Sequence, residues 1–314
     1  MTGGTGMKKN IGIDIGGTKV LMGVVDEQGT VHAEKKIAME PAKPPKEMIG
    51  EIARALKKML EDAGIRLGEI GFIGAGVPGT TNTKTGIVEY CPNISWVDVP
   101  AGEYFRQALG REVLLSQDSW LAALGESLFG AGKNYDSIAC ITLGTGIGCG
   151  LIYDRKIFGG GLGTAGELGH TVFVPGGRDC PCGRQGCLER YSSGTGILLE
   201  AKERYPDAFS GVKRTEDVFE LAYGGNEPAK EVIADCVDKL AFGIAALVNL
   251  VAPQAVVISG GLCVHEELVV APLEREVYRQ GYVAWTRKKQ FRILPAELGS
   301  RAPMIGASAL YRGI

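Results

Sequence analysis

Apolar residues alternate with smaller ones at Ile11, Ile13 and Ile15, and a second apolar run follows from Val20 to Val25. Period-two alternation of this kind predicts two strands joined by a turn. From Lys46 to Ala63 the spacing becomes helical: Ile49, Ile52, Ala53, Leu56, Met59, Leu60 and Ala63 form one stripe, and Gly64 supplies a stop. Glu69 to Ala75 predicts a short strand ending in Gly76-Val77-Pro78-Gly79, and Val113 to Leu115 another that runs into an Ala/Leu-rich helix after Asp118. Ser137 to Leu143 and Gly150 to Tyr153 repeat the opening logic of strand, glycine-rich turn and strand. Pro228 to Leu250 predicts a long helix with Val232, Ile233, Val237, Leu240, Ile244, Leu247 and Val248 on its apolar face. Its second half is apolar almost all round, as in a buried helix, and Pro253 is expected to end it. Ala255 to Ser259 is a fully apolar strand before Gly260-Gly261, and Pro303 to Tyr311 a short closing helix.

With 314 residues the chain exceeds what one hydrophobic core usually holds, so two lobes are expected. A formal net charge of −2 sets up no field for nucleic acid or an anionic membrane. No apolar run approaches the ~20 residues of a membrane span, and the first residues lack an apolar signal core, so a cytoplasmic protein is expected. Of eight cysteines, Cys91, Cys140, Cys149, Cys236 and Cys263 lie scattered in apolar or strand-like contexts and read as small buried hydrophobes. His32 and His265 lack partner signals and read as surface or structural residues.

The other three cysteines are concentrated in Gly166–Glu189, GELGHTVFVPGGRDCPCGRQGCLE. His170, Cys180, Cys182 and Cys187 supply one imidazole and three thiols, a complete tetrahedral set for structural zinc. A disulfide would suit an oxidising compartment instead. Glu167 and Glu189 flank the set, so a metal pinning both ends of the loop would also fix these carboxylates. A second cluster is Asp14-Ile15-Gly16-Gly17-Thr18-Lys19. Glycines between two strands let backbone N–H groups approach a phosphate, Thr18 adds a hydroxyl and Lys19 a charge. Asp14 could orient Mg²⁺ through water. Alone, such a turn is also that of a plain hairpin. Its partner Gly144-Thr145-Gly146 makes the pair more specific, since a nucleotide held between two lobes needs one phosphate-cradling turn from each.

The run G-E-x-G-H followed by C-x-C-G-x-x-G-C-x-E resembles the signature of the ROK family, the sugar kinases and sugar-responsive repressors of the actin-like ATPase superfamily. The resemblance extends from Ile11 to the closing helix. It implies an α/β fold of two actin-like (ribonuclease H-like) lobes with a cleft between them and a zinc-binding loop at 166–189. The smaller lobe would comprise residues 1–117 plus about 300–314, and the larger 118–299. It implies a hexose kinase with ATP-Mg²⁺ in the cleft and structural zinc. Gly16, Gly17, Thr18, Lys19, Gly144, Thr145 and Gly146 would serve the phosphates, and Gly260 and Gly261 would border adenosine. Gly79, Asn93, Gln117, Glu167, His170 and Glu189 would face the sugar, and Asp118 would be the catalytic base. Read without the resemblance, Asp118 is equally a helix cap and Asn93 a turn residue after Pro92.

The resembling family usually reads N-D-A-N where this chain reads Gln117-Asp118-Ser119-Trp120. The base is kept, and the departure bears on which sugar is used. Glucose leads, with N-acetylmannosamine, N-acetylglucosamine, fructose and allose as alternatives, and polyphosphate is an alternative donor to ATP. A repressor would need a winged helix-turn-helix ahead of the first turn, for which the ten or so residues before Ile11 are too few. A non-catalytic sugar sensor fits poorly with retention of Asp14, Asp118 and both turns. The expected partners are hexose and ATP, with no nucleic acid and no membrane, and the family implies a homo-oligomer, dimer or tetramer.

Overall fold

The structure, a computed structural model, describes residues 8–314. Two compact units divide the chain. The first takes the chain up to Asp136, then Gly150–Ala165 and Glu297–Ile314; the second takes Ser137–Cys149 and Gly166–Ala296.

The first unit opens with β1 (Lys9–Ile15), β2 (Lys19–Asp26) and β3 (Val31–Ala38), continues through α1 (Pro45–Asp62) and β4 (Ile70–Val77), and makes a small antiparallel sheet from β5 (Thr80–Asn82), β6 (Ile87–Cys91) and β7 (Trp96–Val99). Then come α2 (Ala101–Leu109), β8 (Leu114–Gln117) and α3 (Asp118–Phe129). Its main sheet has the order β3-β2-β1-β4-β8, antiparallel across the first three strands and parallel from β1 to β8. Ile11, Ile13 and Ile15 are fully buried, and α1 covers the sheet with Ile49, Ile52, Ala53, Leu56, Met59 and Leu60 of the expected stripe, joined by Met48; Ala63, also expected on it, is the exposed C-cap.

The second unit begins with β9 (Ile138–Leu143) and the first half of β10 (Ile147–Tyr153); the strand's second half and β11 (Lys156–Ile157) fall within the first unit's residues. After the cysteine loop come α4 (Glu189–Ser192), α5 (Gly194–Arg204), α6 (Thr215–Tyr223), the long α7 (Glu227–Val251), β12 (Ala255–Ser259), α8 (Ala271–Gln280), α9 (Tyr282–Thr286) and β13 (Arg292–Pro295). The second sheet runs β11-β10-β9-β12-β13, with β9, β12 and β13 parallel. Strand for strand this is the order of the first sheet, so the repeat seen as two glycine turns extends to topology. In each sheet the turn joins the central strand to its earlier neighbour.

The chain closes with α10 (Ala302–Ser308) and α11 (Leu310–Gly313), split at Ala309 where one closing helix is expected. These residues count with the first unit. A Cβ at Gly12 would lie 1.8 Å from the Met304 carbonyl oxygen, and one at Gly74 2.0 Å from that of Ala307, so α10 lies directly on β1 and β4 because both strands offer bare backbone. It packs most extensively on α3. That packing carries α3 into the first unit, so the division does not fall at 117/118 as expected.

Other differences are local. Strand β10 starts at Ile147, three residues earlier than read. Helix α7 ends before Pro253, because Ala252 turns left-handed at φ +48°. The glycine pair leads into 3-10 and π turns at Gly261–Val264 and Glu266–Val270 before a regular helix resumes. Among the described residues no helix is long and apolar enough to cross a membrane.

Candidate functional site

In the first unit, parallel register aligns the carboxyl ends of three strands. Asp14 pairs with Gly76, and Gly76 pairs with Ser116. Ligands of α/β sheets commonly bind at such ends. Asp118 stands one step beyond β8, and a Cβ at Gly76 would fall 3.5 Å from its Cα. Gln117, not Asp118, occupies the N-cap of α3, and it makes no side-chain cap bond. The cap reading of Asp118 therefore fails. Its Oδ1 accepts the N–H of Ser119 at 2.6 Å, which orients the carboxylate.

Asp14 and Asp118 feel one another. Burial first, and then the charge of Asp118, push the Asp14 carboxyl up to about 7, against the opposing pull of Lys19. Burial, and behind it the charge of Asp118, push the Cys91 thiol up to about 11, against hydrogen bonds from the backbone of Ile94 and Asn93. The turn itself is closed by Gly16 N–H donating to Lys19 O at 2.9 Å, and Thr18 and Lys19 are exposed beside it. Asn93, also exposed, reaches this turn, with its carbonyl oxygen 3.6 Å from where a Cβ on Gly17 would sit. Gly79 has a steric reason to be glycine: φ is +106°, and a Cβ would lie 2.3 Å from Tyr90 O. Asp14, Gly16, Gly17, Thr18, Lys19, Asn93, Gln117 and Asp118 thus gather in one unit.

The second unit gathers the rest. The turn at Gly144 is closed by its N–H on Gly146 O at 3.1 Å. Gly146 abuts Glu189: a Cβ there would meet Glu189 Oε2 at 2.7 Å. Thr145 is exposed at the tip. Gly260, at φ +94°, faces the same turn, since a Cβ would lie 2.3 Å from Leu143 O, whereas Gly261 has open space around it. Glu167 precedes the 3-10 turn that carries His170, whose N–H donates to Glu167 O at 3.1 Å. Burial, with the Glu167 charge behind it, pushes the Cys149 thiol up to about 12.

The donor atoms of His170, Cys180, Cys182 and Cys187 all lie within 4.8 Å of one another. Cys182 and Cys187 Sγ are 3.6 Å apart, and Cys180 Sγ is 3.7 Å from His170 Nδ1. A tetrahedron with Zn–S of about 2.3 Å and Zn–N of about 2.0 Å has edges of about 3.5–3.8 Å, so the set fits zinc. A disulfide needs sulfurs about 2.05 Å apart, and none of the eight cysteines forms one. Glu189 Oε1 accepts from Cys180 Sγ at 3.1 Å and lies 3.7 Å from His170 Nδ1, so this carboxylate is tied to the cysteine cluster.

Sequence reasoning misses Ser193 and Gly194. Gly194 N–H donates to Gly144 O at 2.8 Å, and Ser193 both caps α5 and donates to Glu189 O at 2.6 Å. They brace the turn and the backbone that carries Glu189. The signal was there, a Ser before Gly opening a helix, and it reads as a cap. The unassigned histidines are structural: His32 pairs with Asp26 at 2.8 Å, and His265 stacks on Phe219 at 3.7 Å between centroids.

The sequence model of the ROK family matches residues 10–314. The chain is 35% identical to a glucokinase of Streptomyces coelicolor, across 98% of both, and 30% identical to a glucokinase of Thermotoga maritima, across 97% of both. Among solved structures it superposes with TM-score 0.82 on a ROK family glucokinase from Streptomyces griseus in complex with glucose and AMPPNP, at 33% identity over 96% of this chain and 98% of that one.

Proposed function

Because the chain belongs to the ROK family and is a sugar kinase, we propose that it moves the γ-phosphoryl group of ATP to a hexose, at the 6-hydroxyl of glucose first, with Asp118 as general base. The observation that carries this is the placing of Asp118: a carboxylate at a strand end, oriented by the Ser119 N–H and next to Asp14. In the reaction the hexose hydroxyl oxygen forms a bond to the γ-phosphorus as the bond from that phosphorus to the bridging oxygen of ADP breaks. Asp118 takes the hydroxyl proton as the oxygen attacks. Gly16, Gly17, Thr18, Lys19, Gly144, Thr145 and Gly146 serve the phosphates by backbone N–H groups, hydroxyls and the lysine charge. Gly260 and Gly261 border adenosine, where side chains would obstruct it.

Asn93, Gln117, Glu167, His170 and Glu189 hold the hexose. A carboxylate accepts from two adjacent hydroxyls, and an amide both donates and accepts. Gly79 serves through its backbone fold. His170 gives Nδ1 to the metal cluster and keeps Nε2 for the sugar. His170, Cys180, Cys182 and Cys187 would hold zinc, which supplies no chemistry beyond fixing the loop, since four protein ligands leave no open position. Asp14 would hold, through water, the Mg²⁺ that accompanies ATP.

A coupled ADP-release assay across hexoses and N-acetylhexosamines tests the proposal, with polyphosphate as a separate donor arm. Glucose with ATP is expected to rank first in kcat/KM. Another sugar in first place overturns glucose alone; no ADP release with any sugar overturns the assignment.

A further inference from the structure

Trp120, two residues after Asp118 in α3, is only 7% exposed. Its indole N–H donates to the carbonyl of Ala165 at 2.9 Å. Its ring lies against Gly159, where a Cβ would meet the ring edge at 2.9 Å. Gly159 and Ala165 are the two ends of one loop, closed by Ala165 N–H on Gly159 O at 3.0 Å. Inside it, Gly163 N–H donates to Gly160 O at 3.4 Å, and Gly160 and Gly163 adopt φ of +68° and +71°. Leu162 at the tip is 92% exposed, so no apolar packing holds that end. A stretch this rich in glycine loses much backbone entropy on ordering.

The anchor is rigid. A Cβ on Gly150 would lie 3.0 Å from Trp120 Cα and 2.4 Å from Ser119 O, so strand and helix meet there without slack. The anchored carbonyl belongs to Ala165, and the chain reaches Glu167 two residues later.

We propose that Trp120 is a positioning residue for the hexose: its indole latches the loop Gly159–Ala165 at both ends and so sets the course of the chain into Glu167, without touching sugar. This rests on the reading that Glu167 holds the hexose. It also accounts for the tryptophan in Q-D-S-W by contacts made inside the first unit.

Two variants approach the latch from opposite sides. Trp120→Phe keeps a ring and removes the N–H; Gly159→Ala pushes a methyl into the ring from the loop. Each is expected to raise the hexose KM about ten-fold, the effect of one lost buried hydrogen bond, with the ATP KM near wild type. In hydrogen exchange the Gly163 and Ala165 amides should exchange at least about ten-fold faster. An unchanged hexose KM in both variants overturns the latch, as does a raised KM with these amides exchanging at the wild-type rate. If the Phe variant does not fold, Gly159→Ala decides by the same two measurements. The wild-type enzyme separates the two proposals: no turnover with any hexose overturns the proposed function, whereas active wild type with unaltered variants overturns the role of Trp120 alone.

Discussion

Replacing Asp14 by Asn should make the protein more stable above neutral pH. Asp14 is a half-buried carboxyl at the end of β1, lifted from its ordinary 3.8 to about 7 by burial and by Asp118. Such a group binds its proton more tightly folded than unfolded. Between pH 3.8 and about 7 the folded state therefore holds the extra proton, and stability falls as pH rises through that window. Above it the fold carries an ionised Asp14 beside Asp118. The displacement corresponds to about 4 kcal/mol as an upper figure, with about 2 expected once the surroundings relax. Asn keeps the shape and never ionises, so Asp14→Asn should match wild type near pH 4 and exceed it by about 2–4 kcal/mol at pH 8. Urea unfolding from pH 4 to 8.5, without nucleotide, measures this. Parallel wild-type and variant profiles, or a variant less stable at pH 8, would refute the reasoning.

Asp118→Asn should fold, still bind hexose by calorimetry, and lose on the order of 10²–10⁴ in kcat; near-wild-type turnover would remove Asp118 from the chemistry. Cys182→Ser should abolish stoichiometric zinc in elemental analysis and raise the hexose KM far more than the ATP KM, because Glu189 is bonded to the same cluster. Gly12→Ala should destabilise the first unit by about 3 kcal/mol in chemical denaturation, since the new methyl meets the Met304 carbonyl at 1.8 Å; an unchanged midpoint would mean α10 shifts freely.

The elements most legible in the sequence are those whose pattern is set by burial on one face. The α1 stripe, the Ile11-Ile13-Ile15 alternation and the apolar β12 could be read directly because their neighbours are within the same unit. Strand β3 escaped because VHAEKKIA has no fully buried position, and its half-buried face of Val31, Ala33 and Ile37 is broken by Lys35. The short strands β5 to β7 are likewise obscured, by Thr, Asn and Glu. The metal ligands were readable since cysteine and histidine are rare and their chemistry is local. The bond from Trp120 to a carbonyl forty-five positions away was not, as backbone acceptors leave no mark in sequence. The N-cap of α3 was misjudged by one residue, because Asp is a frequent cap and Gln is not, while strand pairing of Val77 with Gln117 decides where the helix starts.

The seat of α10 has a consequence for the order in which the chain is made. Gly12 and Gly74 leave a bare groove on β1 and β4 that α10 fills with the backbone of Met304, Ala307 and Ser308. Those residues leave the ribosome after the whole of the second unit has been translated. The first unit, though synthesised first, is thus the last to be completed, and until then its glycine-lined face waits open to solvent. Premature arrest between Ala296 and α10 leaves a chain whose second unit has all its residues and whose first lacks its cover. Such a fragment exposes apolar sheet surface, which chaperones and proteases recognise.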